Sequence, residues 1–72
     1  MNNQILNNFG LIIQRERKKL KISQEELAFR AGLHRTYIGM IERGEKNITL
    51  INIHKLANAL QIPLSKLFEE KI

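Results

Sequence analysis

Apolar residues recur along this chain at spacings of three and four, and no stretch alternates convincingly as a strand. The first such run, residues 3–20, brings Ile5, Phe9, Ile12, Ile13 and Leu20 near one helical face. Ser23 followed by Glu26 is a capping box, which starts a second helix at about Gln24. Leu27, Ala28 and Ala31 give that helix a narrow buried stripe, and Gly32 supplies a left-handed residue to end it. A third helix runs from His34 or Arg35 to Arg43, with Ile38 and Ile41 inward and Gly44 closing it. Thr49 caps a fourth, whose inward positions are Leu50, Ile53, Leu56, Ala57 and Leu60. Pro63 stands at or just before the first turn of a last short helix carrying Leu64, Leu67 and Phe68.

The pattern predicts one all-α domain over residues 1–72, a compact five-helix bundle; the short connections favour orthogonal packing over a coiled coil. At 72 residues such a core is marginal, and a partner subunit would help by burying more apolar surface. The chain has no cysteine, so disulfides and thiolate metal sites are excluded, and its two histidines are too far apart in sequence to suggest a metal or cofactor site. It also has no aspartate and no paired-carboxylate pocket, and Ser23 and Ser65 have capping or surface roles, so an enzyme is not expected. No export signal is visible and Leu11-Ile12-Ile13 is too short to span a bilayer, which points to a cytoplasmic protein with no membrane partner. A formal net charge of +5 favours an anionic partner without identifying it.

The second and third helices, joined at Gly32 and spanning about residues 24–43, have the layout of a helix-turn-helix whose second helix enters the DNA major groove. Arg35, Thr36 and Met40 face away from the Ile38/Ile41 stripe. Arginine grips guanine through two acceptors, threonine offers a hydroxyl and a methyl that suit thymine, and methionine makes apolar contacts deeper in the groove. Tyr37 brings an aromatic body and a hydroxyl that reaches a base or a phosphate. Gln24, at a helix N-terminus, is placed either to bind a phosphate or to brace a recognition side chain. Arg43, Lys46 and Asn47 follow the third helix and are candidates to clamp the DNA backbone. His34 caps the third helix, touches a phosphate, or is a plain surface histidine. Gly39 costs helix stability, and makes room either for close approach to DNA or for tight packing.

These residues resemble the lambda-repressor-like family of Xre/Cro-type DNA-binding domains, from about Phe9 to Phe68. The motifs are Ser-Gln-Glu-Glu-Leu-Ala at 23–28, Ala-Gly-Leu at 31–33, Tyr-Ile at 37–38 and Ile-Glu-Arg-Gly at 41–44. Within the family, His-Arg-Thr-Tyr-Ile at 34–38 and Asn-Ile-Thr-Leu at 47–50 are similar to controller proteins of restriction–modification systems. The resemblance implies a small dimer that binds palindromic operators and activates or represses its own promoter, with Arg35, Thr36 and Tyr37 reading DNA and Arg43, Lys46 and Asn47 near the backbone. It also implies an ion pair between Arg17 and Glu42 that fixes the recognition helix against the first helix. Lys21 departs from the family, which usually has glycine there, so that residue must turn left-handed or end the first helix differently. Phage-type repressors and toxin–antitoxin antitoxins share the same domain, and an adaptor that no longer reads DNA is a further alternative.

Ile51 falls off the inward stripe of the fourth helix, and Leu64, Phe68 and Ile72 leave apolar surface at the last one. Clustered exposed apolar residues point to an interface, here a twofold homodimer through the C-terminal helices of about residues 49–72. That symmetry would set two recognition helices about one DNA turn, roughly 34 Å, apart. Glu25, outward on the second helix and beside the DNA, is a candidate contact for RNA polymerase.

Overall fold

Side-chain caps divide the chain into its elements. Asn3, Ser23, His34 and Thr49 each accept a hydrogen bond from a free backbone N–H in the first turn of a helix, opening α1 (Gln4–Lys19), α2 (Gln24–Ala31), α3 (Arg35–Glu42) and α4 (Leu50–Leu60). The computed structural model describes residues 3–68, and among these there is no strand. Only half of the expected capping box forms: Ser23 Oγ accepts from the Glu26 N–H at 3.0 Å, while the Glu26 carboxylate turns to Arg30 four residues on.

The predicted fifth helix differs from expectation. Leu64–Phe68 is a 3-10 helix of five residues, opened by a bond from the Lys66 N–H to the Pro63 carbonyl at 3.0 Å. The described fold is therefore four α-helices and a 3-10 turn. Such a short segment satisfies too few backbone groups to stabilise an α-helix by itself, and packing of Leu67 holds it in place.

The core is built from Ile12 and Ile13 of α1, Leu27 of α2, Ile38 and Ile41 of α3, Leu56 and Leu60 of α4, and Leu67, all essentially inaccessible to solvent. Two positions expected to point inward do not. Ile5 is 70% exposed and Leu50 is 67% exposed, each in the first turn of its helix. Helix α3 sits on α1 and α2, and α4 packs on α2 and the 3-10 turn. The α1–α3 contact is made at backbone distance: a Cβ on Gly10 would fall against the carbonyl oxygens of Ile41 and Glu42. Only glycine fits there.

Lys21 resolves its departure from the family pattern by turning left-handed, with φ of 59°. Its N–H reaches the Lys18 carbonyl at 3.0 Å, so α1 still ends in a bonded turn. Gln61 ends α4 in the same way, with φ of 60°. A side chain in this region costs about 1–2 kcal/mol, whereas glycine adopts it freely but gives the unfolded chain more freedom. The variant Lys21→Gly is expected to be more stable than the parent by about 0.5–1 kcal/mol, read as a thermal midpoint raised by a few degrees.

Candidate nucleic-acid interface

The position of α3 is fixed by one buried carboxylate. Glu42 accepts from Arg17 Nε at 2.7 Å and Arg17 Nη2 at 3.0 Å, a two-point ion pair between α1 and the end of α3. Gln24 Nε2 donates to the same carboxylate at 2.9 Å, and Arg17 Nη1 donates to the Ile22 carbonyl at 2.9 Å. Both charged side chains are nearly excluded from water, so salt screens the pair far less than it would a surface pair. Gln24 thus braces Glu42 at the N-terminus of α2, and through it the recognition helix.

From this support α3 presents a short polar face. Gly32, left-handed with φ of 69°, turns the chain from α2 to α3, and the Gly32 and Leu33 N–H groups bond back to Phe29 and Ala28. His34 caps α3, its Nδ1 accepting from the Thr36 N–H at 3.1 Å, which leaves Nε2 as the donor. Arg35 and Thr36 then stand exposed in the first turn, and Tyr37 and Met40 are half-buried beside them.

Tyr37 is held from two sides. Asn52 of α4 donates from Nδ2 to its hydroxyl at 3.2 Å, and Lys46 Nζ lies 5.8 Å from its ring centroid. Asn47 is exposed in the following loop. Arg43 does not project freely: its Nε and Nη2 pair with the two oxygens of Glu45 at 3.0 and 3.3 Å. The Glu45 carboxylate, by hydrogen bonding and by its charge, raises the Arg43 pKa above the ordinary arginine value. Gly39 makes room for this side chain. A Cβ at that position would lie 3.2 Å from Arg43 Nη1 and 3.6 Å from Gln24 Oε1.

Several of these partners carry no marker in the sequence. Glu45 and Asn52 are ordinary polar residues until Gly44 and the first turn of α4 aim them at Arg43 and Tyr37. Glu16 is a second buried carboxylate, flanked by Arg15 and Lys19 on α1. Burial pushes its carboxyl up, but hydrogen bonds from Lys19 and Arg15, together with their charges, outweigh this and hold it below the usual glutamate value.

Of the other candidate residues, Glu25 shares a shallow surface depression with His34 and Arg35. Glu25 is exposed in the first turn of α2. Ile51 is 70% exposed and Phe68 51%, although the Phe68 ring also packs at 6.4 Å from that of Phe9. Leu64 is at the margin of exposure, and Ile72 lies outside the described residues. A groove of about 580 Å³ opens beside Phe68, lined by Ile5, Phe9, Ile48, Ile53 and Leu67 among others. Among the described residues no helix is long and apolar enough to cross a membrane, and no cluster of three histidine or carboxylate side chains could hold a metal.

Two short helices joined by a left-handed glycine, the second braced beneath and polar outside, define a helix-turn-helix protein. Residues 13–67 match the family described as Helix-turn-helix, and the chain belongs to that family. It is 48% identical over 63 residues to the control protein C.BamHI of Bacillus amyloliquefaciens, covering 86% of this chain and 78% of that protein. The restriction-modification controller protein C.AhdI from Aeromonas hydrophila superposes with a TM-score of 0.86 at 48% identity, over 88% of this chain and 96% of that one. C.Esp1396I bound to a 25 base pair operator site superposes with a TM-score of 0.85 at 28% identity, over 93% and 88% of the two chains.

Removing one partner of a buried, hydrogen-bonded pair strands the other charge, at a cost of about 3–5 kcal/mol. Arg17→Ala is therefore expected to lower unfolding stability by several kcal/mol, most of a small domain's total. Denaturant titration checks this, and equal midpoints for variant and parent would refute it.

Proposed function

We propose that this chain is a homodimeric transcriptional regulator of the restriction–modification controller type, which binds a palindromic operator and activates or represses its own promoter. The observation that carries this reading is the 48% identity with the control protein C.BamHI over most of the chain. The operator-bound state of C.Esp1396I, whose fold this chain shares, supports duplex DNA as the ligand. A cytoplasmic location goes with that role.

The chemistry assigns the contacts. Arg35 and Thr36, exposed at the N-terminal end of α3, read base edges, with Tyr37 and Met40 beside them. Arg43, Lys46 and Asn47 contact the phosphate backbone and set register. Gln24 and His34 hold α3 through the Glu42 carboxylate and the helix cap, and both also contact the phosphate backbone. Glu25, on the outer side of α2, is the contact for RNA polymerase when the protein activates. Ile51, Leu64 and Phe68, which the monomer leaves exposed, form the dimer interface together with Ile72.

Footprinting on the DNA upstream of the chain's own gene, at fixed salt and with unrelated DNA as competitor, tests this reading. Two symmetric protected half-sites about one helical turn apart are expected. Arg35→Ala is expected to abolish the footprint by removing about 1–3 kcal/mol of discrimination at one base pair in each half-site, while sequence-independent binding persists. Uniform weak protection by the parent would overturn operator recognition.

The dimer is checked separately by sedimentation. A concentration-dependent mass approaching twice the chain mass is expected, and Ile51→Glu should shift it towards monomer without unfolding the domain, because Ile51 makes no contribution to the core. A monomer mass at all concentrations would reject the interface.

A further inference from the structure

Arg43, one of the basic side chains after α3, already has an anion. The Nε/Nη2 edge of Arg43 faces the two oxygens of Glu45, in the same planar two-point arrangement that arginine adopts towards two phosphate oxygens. This pairing is prepared by the backbone. Gly44, with φ of 75°, reverses the chain, and the Gly44 and Glu45 N–H groups bond back to the Ile41 and Met40 carbonyls at 3.0 and 2.9 Å. That motif returns residue 45 to the side of α3 from which Arg43 emerges. On the helix itself Gly39 leaves the space in which the guanidinium lies, with Nη1 towards it. A Cβ at 39 would crowd Nη1 at 3.2 Å, and a straight helix continuation would carry Glu45 away from the guanidinium.

We infer that Glu45 is an internal stand-in for a DNA phosphate on Arg43, and that DNA binding exchanges the carboxylate for a phosphate oxygen. This rests on the reading of Arg43 as a backbone contact. Both side chains are more than half exposed, so the exchange needs only rotation about side-chain bonds. Its cost is the same for every DNA sequence, because phosphates carry no base identity. Glu45 therefore lowers affinity for operator and non-operator DNA alike. In an autoregulator it raises the protein concentration at which the operator fills.

The test is a binding titration of the full chain on a labelled, mixed-sequence 25 base pair duplex at one low salt concentration. The proteins are the parent, Glu45→Gln, Arg43→Gln and the double variant. Because both positions are surface-exposed, all four should share one thermal unfolding midpoint within a few degrees. Glu45→Gln is expected to tighten binding by about two- to fivefold, the scale of an exposed ion pair. In the Arg43→Gln background the same change should do much less. An equal gain in both backgrounds would overturn the stand-in, since it would show only the general effect of removing a negative charge near DNA. No gain in either would overturn it too. Undiminished binding by Arg43→Gln would instead overturn the backbone role of Arg43, and the stand-in with it; loss of binding by that variant leaves the backbone reading intact whatever Glu45 does.

Discussion

Everything on the candidate DNA-binding face depends on the Glu42 carboxylate being satisfied. An ionised carboxylate inside a small domain is a liability unless each oxygen has donors, and here Arg17 and Gln24 supply them from two other helices. The consequence is geometric as much as energetic. The pair ties α1 to the C-terminal end of α3, the glutamine ties α2 to the same point, and the remaining arm of Arg17 takes up the loop carbonyl at Ile22. Three elements are fixed to one anion, and α3 inherits a defined direction from it. Apolar packing of Ile38 and Ile41 alone would permit sliding along the helix axis, whereas a fork-shaped guanidinium on a carboxylate permits little.

The face that results has two kinds of side chain. Arg35 and Thr36 are free, held only by their positions in a capped helix. Tyr37, Arg43 and Gln24 are each engaged by a neighbour within the protein. The free residues suit the reading of bases, where direct contact decides sequence. Tyr37 and Gln24 are set before any ligand arrives, so less freedom remains for them to lose on association.

The elements were legible where the chemistry is local. Capping residues Ser23, Thr49 and His34 stand at the helix starts, Gly32 and Gly44 stand in left-handed turns, and the apolar spacing marks the buried side of every helix. The spacing failed at Ile5 and Leu50, because periodicity tells which side of a helix a residue occupies but not whether another element extends far enough to cover it. It also read an α-helix at Leu64–Phe68, where five residues after a proline make only a 3-10 turn. The partners of the site were less visible. Asn52 meets Tyr37 across fifteen positions, and Gly10 is needed only because the main chain of α3 lies against it. The Arg17–Glu42 pair could be anticipated from family resemblance, not from either residue alone.

The contact at Gly10 has a further consequence. With the α1 backbone lying against the carbonyls of Ile41 and Glu42, and no side chain between them to rotate aside, the C-terminal end of α3 has no compliant layer beneath it. Side chains elsewhere in a core absorb small misfits by changing rotamer, but here main chain meets main chain. A duplex that does not match the spacing of this face finds a surface that does not yield. Misfit at that end of the helix is met by bending of the duplex rather than of the protein, at a cost that depends on how easily the base steps deform.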